Sequence, residues 1–162
     1  MRARLKASLP SPAALFIGAP LWGLVMMLSA VAVLYVRGSL LWRADWLLLA
    51  IYFAGAMIGY ALALPVSRFC GLGRRLETRF AATFFSLTLF TTGMTAFIFA
   101  MQYRAFYAQW HDPFMTVHWV LQFIFTSGAA VVHYVALGLR LYLPIGIVAL
   151  FATSAIMARR MR

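Results

Sequence analysis

Long apolar runs dominate this chain, and its polar residues gather between them. Five runs stand out, over about 13–36, 46–64, 80–101, 114–139 and 141–157. A helix needs roughly 20 apolar residues to cross the hydrocarbon core of a bilayer. The first four runs meet or approach that length, and the last, Leu141 to Met157, is at its lower limit. Helices apolar on all sides need lipid or a large core around them. The pattern therefore predicts an all-α fold, a polytopic transmembrane bundle of five apolar helical segments in a single membrane domain over 1–162. The alternative is four crossings with a re-entrant C-terminal segment.

Breaks in the pattern place the links. Pro20 should bend the first helix, which membranes tolerate when neighbours satisfy the freed carbonyl. Pro65 is expected to stop the second span after Leu64, and Asp112-Pro113 to start the fourth as cap and first helical position. Trp42, Trp46 and the aromatic stretch Tyr103, Phe106, Tyr107 and Trp110 suit the headgroup layer. A basic start before an apolar run also describes a signal peptide, with small residues at Ser29 to Ala32. The run exceeds the usual 7–15 residue signal core, so a retained first span is expected.

Polar positions inside the runs are few and ordered. At about 100° per residue, His118, Gln122, Thr126 and His133 fall within one arc of roughly 80°, shared by Ala129 and Arg140. Polar groups inside a membrane are costly, so this face should look into protein or water. On the third run Thr88, Thr91, Thr92 and Thr95 share an arc of roughly 100°. Their hydroxyls either bond back to their own helix or face the polar row of the fourth helix. Gly55, Gly59 and Ala63 recur every four residues, which lets two backbones approach closely. That seam serves either an intramolecular helix contact, the favoured reading, or a dimer.

Charge sharpens the picture. The chain is 65% hydrophobic and 10% charged, with a formal net charge of +11 and 13 Arg against one Lys. The basic residues sit in links, where they anchor to headgroups, and nucleic acid is not an expected partner. Arg68, Arg74, Arg75 and Arg79 form the most basic link and are read as contacts to anionic lipid. Gly71 and Gly73 before the arginine pair lack the strand and third glycine of a phosphate loop. With five crossings and the N-terminus inside, basic residues divide eight against six; if the last segment does not cross, eleven against three. The positive-inside rule favours four crossings and hydropathy favours five. The N-terminus is expected in the cytoplasm in both cases, and the Arg, Ala and Gly usage hints at a bacterial inner membrane.

Candidate chemistry is thin. The acids are Asp45, Glu77 and Asp112, all in links, so no acid–base pair is visible. Cys70 is the single cysteine, which excludes an internal disulfide. His118 and His133 lie about 22 Å apart along a helix, too far to share a metal. Stacked haems would need opposing ligands that the other spans lack. His111, Asp112, Met115 and His118 could form a copper site, though Met is common filler in apolar helices. No metal or cofactor is expected. The expected function is that of a non-enzymatic accessory, assembly or envelope-associated membrane protein, with a protein partner or a second copy. The alternatives are a transporter or channel subunit using the polar face of the fourth helix and, less favoured, haem or copper binding.

Overall fold

The computed structural model describes residues 8–38 and 45–161, without the side chain of Asp45. The expected cap-to-link residues Arg2, Arg4, Lys6, Trp42, Arg43 and Arg162 lie outside the described residues. Among the described residues the α-helices are α1 (Pro12–Val36), α2 (Asp45–Gly71), α3 (Leu76–Tyr107), α4 (Val117–His133) and α5 (Ile145–Arg160). The all-α membrane bundle of five apolar segments is what the sequence pattern predicts. Four stretches, Pro12–Val36, Trp46–Gly71, Leu76–Trp110 and Val117–Tyr142, are long and apolar enough to cross a membrane.

Helix α1 starts where Ser11 accepts a hydrogen bond from the Ala14 amide and Pro12 takes the first turn. Proline there loses no bond, because first-turn amides have no partner within the helix. The helix runs unbroken through Pro20. Its buried stripe is Ala19, Trp22, Gly23, Met26, Ser29, Ala30 and Leu34, three- and four-residue steps along one face. Phe16, Ile17, Leu21, Leu24 and Leu28 are exposed on the opposite face. An apolar outer surface is what lipid requires.

Pro65 does not end α2. The helix passes through it to Gly71 and stops at the turn where Gly73 takes a positive φ of 72°. In an apolar setting a chain leaving the helix would strand more carbonyls than the one that Pro65 frees, so continuation costs less. Helices α2 and α3 pack antiparallel along a seam of small residues. A methyl on Gly55 would lie 2.6 Å from the Thr95 Cα, and one on Gly59 2.7 Å from the Thr91 Cα. Ala56 and Ala63 have no exposed surface.

The fourth and fifth segments depart from expectation. Asp112-Pro113 does not cap α4. Thr116 does, accepting from the Trp119 amide, after a turn in which the Thr116 amide and hydroxyl both bond to the Pro113 carbonyl. Met115 carries the strain of that turn at φ 69°. Regular α geometry ends at His133 and gives way to a π turn over Tyr134–Gly138 and a 3-10 turn over Leu139–Tyr142. The span expected over 114–139 therefore starts later, at Val117, and reaches Tyr142, with regular α geometry only as far as His133.

Helix α4 crosses α3 steeply. Phe123 lies under the Arg104 guanidinium at 3.9 Å, and His133 stacks at 5.9 Å on Tyr103. Ten residues, about 15 Å along α4, thus separate contacts with consecutive residues of α3. Beyond the break the chain turns to run antiparallel to α3. Tyr142 bonds to Thr95, Phe151 packs 5.0 Å from Phe84, and Ala158 and Arg159 reach Leu76 and Glu77. Arg68 bonds to the Leu9 carbonyl and Arg79 to the Met161 carbonyl. Residues 9 and 161 therefore share one end of the bundle with the α2–α3 link. An even number of traversals connects them, with α4, the break and α5 together making the fourth.

Candidate functional site: the broken helix and its groove

The stretch Tyr134–Pro144 departs from α geometry and packs one side on the bundle: Tyr134, Leu141 and Tyr142 are buried, while Val135, Leu137, Arg140 and Leu143 are exposed. Such backbone persists at membrane depth only where protein satisfies its polar groups. The other helices supply those partners. The Tyr52 hydroxyl of α2 donates to the Gly138 carbonyl at 2.6 Å. The Ser29 hydroxyl of α1 donates to the Leu141 carbonyl at 3.0 Å and accepts from the Gly146 amide at 3.1 Å. Tyr142 donates to Thr95 at 2.8 Å and accepts a long bond from Tyr134 at 3.5 Å. Gly138 belongs here for reasons of space, since a methyl would stand 2.6 Å from the Tyr134 ring and 3.0 Å from the Tyr52 hydroxyl.

Below this knot the threonine row completes the polar core. Thr88, Thr92 and Thr95 bond back to the carbonyls of Phe84, Thr88 and Thr91 at 2.7–2.9 Å. Thr91 also accepts from the Trp22 indole at 3.0 Å, tying α1 to α3. The row meets α1, α2 and the broken segment. It does not meet the polar row of α4, because steep crossing carries α4 away from it.

A laterally open groove of about 290 Å³ lies beside the knot. Trp22, Met26, Leu87, Leu150 and other apolar side chains form most of its wall, with Thr88, Thr91, Thr92, Tyr142 and Arg140 as its polar members. Arg140 sits two residues from Tyr142, whose partner Thr95 is nine residues, about 13 Å, inside the level of Arg104. Arg140 is exposed, and its guanidinium has no hydrogen bond or ion pair among the described residues. A charged side chain deep in a bilayer costs about 2.5–3.5 kcal/mol on insertion scales.

The four residues of the expected polar face part company. Gln122 accepts from the Asp112 amide at 2.9 Å, and Thr126 bonds to the His111 ring at 3.3 Å. Both hold the 108–116 loop. The His118 side chain is 79% exposed and lies 3.8 Å from Asp112. His133 is also exposed and bonds to the Ala129 carbonyl of its own helix. The row therefore does not line an interior, because α4 buries Ala130 and turns its Trp119, Phe123 and Ser127 side inward. The His111, Asp112, Met115 and His118 set does not converge, since His111 turns to Thr126 and Met115 points outward. Among the described residues no three of His, Cys, Asp or Glu gather.

Gly55, Gly59 and Ala63 are spent on the intramolecular α2–α3 seam. Of the basic link, Arg74 and Arg75 are exposed, while Arg68 and Arg79 hold carbonyls of the chain ends. Residues that sequence reasoning missed are Tyr52, Tyr134, Tyr142 and Ser29. Their available signal was position: tyrosines in mid-span, far from the headgroup layer that Tyr usually marks. No family model matches this chain, and no curated protein or solved structure matches it.

Proposed function

We propose that this chain is a four-pass protein of the bacterial cytoplasmic membrane that acts as a non-enzymatic partner within a membrane assembly. The observation that carries this reading is the placement of α4. It leaves the bundle axis and presents Leu121, Phe125 and Val132 on an open outer face, with His118 and His133 exposed beside them. A histidine facing lipid gains little, whereas one beside an apolar strip suits a contact with a second polypeptide. The polar groups inside the bundle support the same reading, because they are committed to holding helices. The basic end, with Arg68, Arg74, Arg75, Arg79, Arg159 and Arg160, is the cytoplasmic side on this reading, against Arg37 and Arg104 at the other end.

Photo-crosslinking tests it. A photoreactive residue at Phe125 or Val132 is expected to give a discrete protein adduct in intact membranes; one at Phe85 or Leu89, on the lipid face of α3, should give lipid adducts. An adduct of twice the chain mass would identify the partner as a second copy. Lipid adducts alone from all four sites would overturn the proposal. Reporters placed in the α2–α3 link and after Arg162 should both read cytoplasmic.

A further inference from the structure

We propose that the groove beside Arg140 is a binding site for the tail of an anionic glycerophospholipid, with Arg140 as the residue that selects its headgroup. The occupant is a lipid of the leaflet at the Arg37 and Arg104 end.

Shape and charge both point to it. The groove is open to the side, where lipid stands, and its wall is apolar from Trp22 and Met26 on α1 to Leu87 on α3 and Leu150 on α5. Arg140 stands at the groove's end nearer Arg104, as its neighbours' bonds to Thr95 and Tyr52 require. An arginine there lays its apolar stem along the groove and extends its charged head toward the headgroup layer. A lipid running inward from that layer passes its phosphate by the guanidinium and its chain into the groove. Arginine matches a phosphate with a planar, forked set of donors. The protein itself supplies no anion here, since Asp45 and Glu77 stand in the first turns of α2 and α3, Asp112 lies in the 108–116 loop, and Arg140 has no ion-pair partner among the described residues. Arg37 borders a pocket of about 290 Å³, and Arg68 and Arg160 one of about 340 Å³, but Trp22 lines the groove at Arg140 and neither of those, so an effect read at Trp22 reports on Arg140's groove.

Trp22 provides the probe, because it lines the groove. The full chain is prepared with Trp42→Phe, Trp46→Phe, Trp110→Phe and Trp119→Phe, and reconstituted into phosphatidylcholine vesicles. Trp22 fluorescence is then titrated with phosphatidylglycerol or phosphatidylcholine brominated near the chain end. Brominated phosphatidylglycerol is expected to reach half-quenching at a several-fold lower mole fraction. Arg140→Gln should bring the two curves together, while Arg37→Gln should leave them apart. Thr92→Phe fills the groove and keeps every arginine; it too should abolish the preference, and it decides the matter if Arg140→Gln does not fold. Coincident curves in the parent, or a preference that survives either Arg140→Gln or Thr92→Phe, would overturn the proposal.

Discussion

The seam between α2 and α3 and the segment from α4 to Pro144 are both apolar, but different forces hold them. Along the seam, Gly55 and Gly59 let backbones touch, and dispersion accumulates over two long helices with little help from polar groups. Around Tyr134–Pro144 the helix ladder is interrupted, and hydroxyls from Ser29, Tyr52 and Thr95 hold the chain in place. The first region depends on the absence of side chains, and the second on the presence of a few. Substitutions should therefore act on them in different ways.

The largest effect belongs to the seam. Gly59→Ala would place a methyl 2.6 Å from the Phe90 carbonyl oxygen and 2.7 Å from the Thr91 Cα. Both are backbone atoms, which cannot rotate away, so the helices must part. A loss of about 3 kcal/mol is expected, the upper end for overpacking, read from unfolding in mixed micelles. Gly93→Ala and Gly128→Ala meet nothing within 4 Å. Both should leave stability unchanged or raise it by about 0.5–1 kcal/mol through helix propensity. A Gly59→Ala protein as stable as its parent would remove close backbone contact as the basis of the seam.

The knot should respond less and more locally. Ser29→Ala leaves the Leu141 carbonyl and the Gly146 amide without their partner. Membrane hydrogen bonds average about 0.6 kcal/mol each, and stranded buried groups cost about 1–3 kcal/mol. A loss of about 1–2 kcal/mol is expected. Tyr52→Phe removes one bond, to Gly138, and should cost about 1 kcal/mol. In both variants hydrogen exchange should quicken at 134–146 while the α2–α3 seam stays protected. Uniform acceleration across the chain would mean that the two regions unfold as one.

The same contrast decides what was legible in the sequence. Run lengths and the four-residue spacing of Gly55, Gly59 and Ala63 are local properties, and the helices and the seam follow from them. Pro65 and Asp112-Pro113 misled because the local rule for a proline depends on the surroundings. A helix in an apolar setting continues where one in water would stop, and Thr116, three residues on, had the better capping geometry. The angular sorting of His118, Gln122, Thr126 and His133 was sound as far as angle goes. Angle does not report which way a helix leans, and the lean of α4 sends two of the four outward and two to the 108–116 loop. Tyr52, Tyr134 and Tyr142 come from three distant parts of the chain, so their meeting is a property of the fold alone.

The smallest effects belong to the outer row of α4, and they separate a loop clasp from a conduction path. Thr126→Val keeps shape and removes the bond to His111, a partly buried contact at 3.3 Å. A loss of about 0.5 kcal/mol or less is expected, because the bond is long and one of several holding the 108–116 loop. Exchange at His111 and Asp112 should quicken in this variant without change at Gly138. His118→Ala should leave the unfolding midpoint where it was, since the ring is exposed and its contact with Asp112 is 3.8 Å long. If instead both substitutions altered ion flux in sealed vesicles, the row would be in use as a path despite facing outward. That result would require a second copy or partner to wall it in, which is the arrangement the crosslinks at Phe125 and Val132 would then have to report.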